Sequence, residues 1–201
     1  CSQMVFPGTN PAPSVPSLPL DFSDVSQLFT ADLAGGGPVD VSIVDEKLQV
    51  IGSGADWDSV FLDITPIDLS NNAANTITLE IESTTATDGV DHFHRINVGG
   101  KELDFFTTGK ELKTVVLDFP VGSPAAASQI RIFLDAGYGA TKTSVETYLI
   151  DNIALFVDAE APTAFTATVG AIGAFGAELV LNATDNSGSV TYDISYNDGA
   201  N

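Results

Sequence analysis

Residues 76–83 read TITLEIES, and in this stretch Ile77, Leu79 and Ile81 alternate with threonine and glutamate. Successive side chains of an extended chain point to opposite faces, so strict alternation predicts a half-buried β-strand. The apolar face should pack on a core, and the polar face should lie in solvent.

The same alternation recurs in three further stretches and separates core-facing from outward side chains. We expect these residues to face the core: Val60, Leu62, Ile64, His94, Ile96, Val98, Ile130, Ile132 and Leu134. The opposite faces then carry aromatic and polar side chains: Trp57, Phe61, Asp63, Phe93, Arg95, Asn97, Arg131, Phe133 and Asp135.

Short strand-like runs alternate with glycine, asparagine and proline turn clusters from residue 20 to residue 157. Helical spacing is nearly absent, and β-branched residues are common. This spacing of strands and turns predicts an all-β domain, a jelly-roll β-sandwich, over residues 20–157.

The charge balance excludes several classes of partner. The 201 residues hold 7 Lys+Arg against 27 Asp+Glu, a formal charge of -20. Nucleic acids and anionic membrane surfaces both need basic side chains, so neither is an expected partner. The apolar content of 44% is sufficient for a sizeable core and argues against disorder throughout.

The start of the chain indicates an anchor followed by a tether. Cys1 is the single cysteine, so no intrachain disulfide can form. Bacterial signal removal just before a cysteine leaves an N-terminal Cys that becomes lipidated, which predicts a lipid-anchored protein. Residues 1–19 hold five of the ten prolines and predict a semi-rigid tether. The alternatives are an arbitrary chain start and a disordered end without a role.

Four segments in order carry a family resemblance. LPLDFSD (18–24) follows the proline-rich stretch, GADWDSVFLDI (54–64) follows a glycine-rich turn, KTVVLDF (113–119) precedes QIRIFLDAGYG, and TYLIDNIAL (147–155) closes the domain. Together they resemble the jelly-roll carbohydrate-binding domains of surface lipoproteins and glycanases from Bacteroidetes-type bacteria. The resemblance implies a protein that binds glycans.

The composition changes near residue 158, where an Ala/Thr/Val-rich tail begins. Residues 158–201 resemble the first half of a fibronectin type III domain. The resemblance implies a second, incomplete Ig/fibronectin III-like β-sandwich segment, and a chain that continues.

The resemblance also implies a structural calcium ion beside the first strand. Asp151 matches the last-strand aspartate of such domains, and Asp21 and Asp24 are the acids closest to the first-strand position, where this chain has Ser23. Calcium prefers six to eight oxygen ligands, which carboxylates can supply. The alternative is that these are ordinary surface acids of an acidic protein.

Several outward side chains suit sugar recognition. Aromatic rings stack on the apolar faces of sugars, and arginine and aspartate form hydrogen bonds with hydroxyls. The predicted carbohydrate-binding residues are Trp57, Phe93, Arg95, Arg131, Asp135 and Tyr138. The alternatives are that both arginines are paired with acids and that Trp57 fills the core.

Catalytic signatures are weak, and the chain is predicted not to be an enzyme. No paired-carboxylate motif of a glycosidase and no G-x-S-x-G nucleophile motif is present. His92 and His94 have metal-ligand spacing, but the core face that His94 shares with Ile96 favours buried, hydrogen-bonded imidazoles.

These observations predict a lipid-anchored surface protein that captures polysaccharide without cleaving it. A charge of -20 favours neutral glycans over anionic ones. Two alternatives remain: an accessory structural subunit of an outer-membrane transport or secretion complex, and an ancillary domain of a larger glycanase.

Overall fold

The computed structural model describes residues 14–33, 37–71, 74–136, 145–156, 163–164, 168–173, 176–185, 190 and 192. The chain divides into two compact units, Cys1–Val157 and Asp158–Asn201. Cys1 lies outside the described residues, as does most of the predicted tether.

The described part of the first unit folds into ten strands. A short 3-10 turn, Val25–Gln27, precedes them. The ten strands are β1 (Thr30–Asp32), β2 (Asp40–Val44), β3 (Lys47–Ile51), β4 (Asp58–Ile67), β5 (Thr76–Ser83), β6 (Asp91–Val98), β7 (Lys101–Thr108), β8 (Lys113–Asp118), β9 (Ala127–Leu134) and β10 (Thr147–Phe156). Within the described ranges, no helix has the length and apolar character needed to cross a bilayer.

The strands form two five-stranded sheets. The first sheet has the order β1-β4-β9-β6-β7, and the second has the order β2-β3-β10-β5-β8. Every pairing in both sheets is antiparallel. One hydrophobic cluster joins residues of both sheets. The predicted all-β, jelly-roll β-sandwich is confirmed.

The core lies between the sheets and uses the faces that alternation predicted. In β5, Ile77, Leu79 and Ile81 are fully buried, and in β9 Ile130 and Ile132 are too. Burial of one large apolar side chain contributes about 1.5–3 kcal/mol, so these inward faces hold the two sheets together. The outward faces of the same strands are thereby fixed in position.

The second unit contributes one described hairpin. Strand β11 (Thr168–Gly173) pairs with β12 (Gly176–Val180) in antiparallel register. The Thr163 amide donates a hydrogen bond to the Thr184 carbonyl at 2.8 Å. The stretch SVTYDISY (189–196), which the sequence predicts to be a third strand of this tail, lies mostly outside the described residues, and the fibronectin-like assignment stays a prediction.

Candidate functional site

The outer face of the first sheet collects aromatic and charged side chains from four neighbouring strands. We call outer face the side chains that alternate with the core positions of β4, β9, β6 and β7. They include Ser59, Phe61, Asp63, Gln129, Arg131, Phe133, Phe93, Arg95, Asn97, Glu102, Asp104 and Phe106. The register places Phe133 opposite Arg95 and Arg95 opposite Asp104, so residues distant in sequence form one row across the sheet.

Trp57 lies at the edge of this face, in the loop before β4. Trp57 is 38% exposed, and its ring contacts the Phe133 ring edge-to-face, with the two centroids 5.8 Å apart. The backbone φ of Trp57 is +63°, a region that bulky L-residues rarely adopt. The alternative of a core-filling tryptophan is therefore wrong.

Asp58 anchors the loop that carries Trp57. Its buried carboxylate accepts hydrogen bonds from the Gly37 amide at 3.1 Å, the Ser53 amide at 2.8 Å and the Ser53 hydroxyl at 2.6 Å. A Cβ on Gly37 would collide with the Ser53 side chain, so only glycine fits there. The role of Asp58 was not predicted from the sequence. Its carboxylate at a core-facing position beside a glycine-rich turn could have indicated it.

Arg95 lies between two rings of the outer face. Its guanidinium carbon is 5.4 Å from the Trp57 ring centroid and 6.0 Å from the Phe93 ring centroid. Such placement over aromatic faces is a favourable cation–π geometry.

Two carboxylates hold the Arg95 guanidinium in place. Arg95 Nε donates to Asp104 Oδ1 at 2.6 Å, Nη2 donates to Asp104 Oδ2 at 3.2 Å, and Nη1 donates to Glu102 Oε2 at 3.1 Å. The hydrogen bond to Asp104 is the main reason that the pKa of Arg95 is raised. These contacts use three of the five guanidinium N–H groups, and the side chain is still 26% exposed.

Arg131 forms a second aromatic–guanidinium pair on the same face. Its guanidinium carbon is 5.2 Å from the Phe61 ring centroid, and it makes an ion pair with Asp32 of β1. Asp32 also accepts a hydrogen bond from the Ser59 hydroxyl at 3.2 Å. The expectation that acids pair with both arginines is thus what the structure shows, and both guanidinium groups lie on the outer face.

Phe93 and Phe106 extend the aromatic cluster towards the edge strand β7. Their ring centroids are 5.3 Å apart. Phe93 is 9% exposed and serves mainly as support, whereas Phe106 is 43% exposed. Phe106 was not among the predicted site residues, although the Phe105-Phe106 pair signals one ring per face, and Phe105 is the buried one.

Asp135 does not join the outer face, contrary to the prediction from alternation. Its φ of +47° ends the strand period just after β9 and turns the carboxylate inward. There it is buried, and it accepts hydrogen bonds from the Tyr148 hydroxyl at 2.8 Å and from His92 Nδ1 at 2.6 Å. Burial raises the pKa of Tyr148, so this hydroxyl stays protonated as a donor.

The two histidines lie behind the face, in the sandwich interior. His94 is buried, and its Nε2 is 2.8 Å from Thr107 Oγ1. Since the Asp135 amide donates to His94 Nδ1 at 3.3 Å, the Nε2 atom carries the proton. The interpretation as a buried, hydrogen-bonded imidazole is confirmed for His94, whereas the His92 side chain is 10% exposed and is hydrogen-bonded through Nδ1. Tyr138, another predicted binding residue, lies outside the described residues.

The three acids predicted to bind calcium accept hydrogen bonds from groups close to them in sequence. Asp21 accepts hydrogen bonds from the Ser23 amide at 3.1 Å and hydroxyl at 2.7 Å, and Asp24 accepts one from the Ser26 amide at 2.7 Å. Asp151 lies opposite Glu80 in the second sheet, and burial raises its pKa. Within the part of the chain that is described, no group of three or more His, Cys, Asp or Glu is arranged to hold a metal.

The fold resembles solved structures at low sequence identity. A family 29 carbohydrate-binding module matches 62% of this chain and 75% of its own, with 11% identity and a TM-score of 0.41. A mutant module of the same family, solved in complex with cellulohexaose, matches 62% of this chain and 78% of its own, with 14% identity and a TM-score of 0.41. An exo-β-agarase matches 70% of this chain but only 25% of its own, with 9% identity and a TM-score of 0.49.

No protein-family model matches the chain, and no curated protein matches its sequence. At the identities and TM-scores of the solved structures, the likeness carries no argument about what this chain binds. The function must therefore be argued from the outer face itself.

Proposed function

We propose that the chain binds polysaccharide without cleaving it, and that the ligand lies on the outer face of the first sheet. The observation that carries the proposal is a pair of exposed rings, Trp57 in the loop at the edge of the outer face and Phe106 on β7, with a fixed guanidinium, Arg95, between them. Sugar rings offer apolar C–H faces to aromatic rings and hydroxyls to a guanidinium.

The charges of the face favour an uncharged glycan. Asp32, Glu102 and Asp104 engage Arg95 and Arg131, so three carboxylates surround two guanidinium groups. An anionic chain would meet paired arginines and unneutralised acid, and like charges at an interface oppose binding. This local argument adds to the repulsion expected from the net charge of -20.

The cellular setting of this function is also a proposal. A lipid on Cys1 would anchor the protein at the outer membrane, facing the cell exterior, and the proline-rich residues 1–19 would hold the sandwich away from the bilayer. The protein would capture glycan there, close to an uptake complex or an enzyme. Mass spectrometry of Cys1 tests the anchor: a Cys1 that carries no lipid on its thiol or its α-amino group in the protein from its native membrane contradicts it.

Affinity electrophoresis against a polysaccharide panel tests the binding. We expect neutral polymers to retard the full chain, and the Trp57→Ala variant to lose that retardation. Val116→Ala is the matched control, since Val116 is an exposed apolar residue of β8 in the other sheet. Absence of retardation by every polymer would contradict the proposal.

Two further measurements complete the test. Each polymer that retards the chain is then incubated with the protein and assayed for reducing ends. No new chain ends should appear, because the protein is proposed not to cleave its ligand. Thermal unfolding with calcium and with a chelator tests whether Asp21, Asp24 and Asp151 hold a structural calcium ion, since such an ion would raise the thermal midpoint of the wild type. The polymers should retard the chain equally with calcium and with chelator, because the proposed glycan contacts belong to the first sheet, whereas Asp151 lies in the second.

A further inference from the structure

Two exposed rings mark the ends of a continuous track on the outer face. The track runs from the Trp57 ring to the Arg95 guanidinium at 5.4 Å, from there to the Phe93 ring at 6.0 Å, and on to the Phe106 ring at 5.3 Å. Trp57 and Phe106 are its most exposed aromatic members, while Phe93 lies low between Arg95 and Phe106.

The track crosses the strands. Trp57 packs on Phe133 of β9 and lies beside Arg95 of β6, whereas Phe106 belongs to β7. Strand β7 is two strands away from β9 in the sheet, and neighbouring strands lie about 4.8 Å apart, so the two exposed rings are roughly 10 Å apart. One pyranose ring is too short to contact both.

The centre of the track is polar and fixed. Asp104 and Glu102 hold the Arg95 guanidinium, so its orientation does not depend on a ligand. A sugar between the two stacking positions would meet N–H donors in place of a ring. Preorganised donors of this kind add orientation and lose little side-chain entropy on binding.

We propose that the ligand is an extended run of at least three sugars that crosses the strands, stacks on Trp57 and Phe106, and accepts hydrogen bonds from Arg95 at its central hydroxyl oxygens. This inference rests on the proposed function and extends it, because it sets the direction in which the ligand crosses the sheet and a minimum ligand length. The ligand class is the interior of a polysaccharide chain, not a single sugar or a disaccharide.

A length series tests the proposal. Trp57 is the only tryptophan of the chain, so intrinsic fluorescence reports directly on one end of the track. The probes are glucose-, mannose- and xylose-based neutral oligosaccharides of one to six sugars, together with the polymers of the same sugars. We expect the affinity to rise steeply between two and four sugars and then to level off.

The Phe106→Ala variant gives the sharper result. It should weaken binding of the long oligosaccharides by about tenfold, the loss expected from one stacking contact, and leave the disaccharide unchanged. Phe106→Tyr keeps the ring and should restore the length dependence, and Val116→Ala should behave as the wild type. Unchanged thermal midpoints show that these exposed substitutions leave the fold intact.

The two proposals fail in different ways. Retardation by none of the polymers would overturn the proposed function. Binding of the polymers with the same affinity for one sugar as for six, or with no effect of Phe106→Ala on the longest oligosaccharide, would overturn the track and keep the function.

Discussion

At Trp57, the proposed binding surface and a strained backbone coincide in one residue. A bulky residue with a φ of +63° costs about 1–2 kcal/mol relative to an ordinary conformation. Strain of this kind persists only where the surroundings fix it, here through the buried carboxylate of Asp58. The strained loop holds the ring beside Arg95.

This strain predicts different stabilities for two ring-deleting variants. Trp57→Ala and Trp57→Gly both remove the ring and its contacts, but only glycine accepts the positive φ without steric strain. We expect the glycine variant to have the higher free energy of unfolding, by roughly 0.5–1 kcal/mol, in urea titrations. Both variants should lose glycan binding. An alanine variant as stable as the glycine variant would show that the loop is not strained.

Asp58 should be needed for the position of the tryptophan ring. Asp58→Asn replaces one acceptor oxygen by an NH₂ group, which cannot accept from the Ser53 amide. We expect a loss of about 1–3 kcal/mol in unfolding free energy, together with a shifted Trp57 emission maximum in the folded protein. Asp56→Asn, at the exposed neighbouring acid, is the matched control and should change neither quantity. An unshifted Trp57 emission maximum in the Asp58→Asn variant would show that Asp58 does not position the ring.

At the level of elements, the edge strand β7 supplies both carboxylates that hold Arg95 of β6. The register sets Arg95 opposite Asp104 and Asn97 opposite Glu102, so the pairing follows from the alignment of the two strands. An arginine held in this way offers hydrogen-bond donors but little unbalanced positive charge. We therefore expect the charge selectivity of the proposed site to depend on β7.

Removing those two charges should change which polymers bind. In the double variant Glu102→Gln, Asp104→Asn, the Arg95 charge is no longer offset, and carboxymethylcellulose should bind several-fold more tightly than to the wild type at low salt. Hydroxyethylcellulose, an uncharged polymer with the same backbone, should gain nothing. The gain should disappear as salt screens the charges.

A matched double variant separates a local effect from net charge. Asp45→Asn, Glu46→Gln removes two exposed acids from the turn between β2 and β3 of the other sheet. It should leave the affinity for carboxymethylcellulose at the wild-type value. Equal gains in both double variants would mean that only the total charge matters.

Asp151 on β10 predicts a pH dependence of stability. Burial disfavours its ionised form and raises its pKa, with Glu80 adding to the effect. The folded state therefore binds the proton more tightly than the unfolded state, and this contribution to stability is lost as the pH rises through the folded pKa. The Asp151→Asn variant has no carboxyl group to ionise, so its stability does not fall in this pH range for this reason. In chelator, we expect the variant to be the more stable protein at pH 7 and the difference to vanish below about pH 4, where unfolded aspartate is protonated. Urea titrations across this range check the sign.

At the scale of the whole molecule, the sequence predicts the sandwich well and the site only in part. Alternation identifies the buried faces of β5 and β9 because a regular strand has a strict period of two. It fails at Asp135, where a positive φ breaks that period. The partners of Arg95 could not be predicted, because they depend on which strands are neighbours and in what register.

The division of the chain into two compact units predicts that the first unit binds glycan by itself. The buried cluster of the sandwich and the described residues of the outer face all belong to the unit Cys1–Val157. A protein ending at residue 157 should therefore keep its glycan affinity, its dependence on oligosaccharide length and a cooperative unfolding transition. Isothermal titration of the shortened and full chains against the same oligosaccharides checks this. A weaker affinity in the shortened chain, with an unchanged thermal midpoint, would show that residues 158–201 take part in binding and would move the site beyond the outer face.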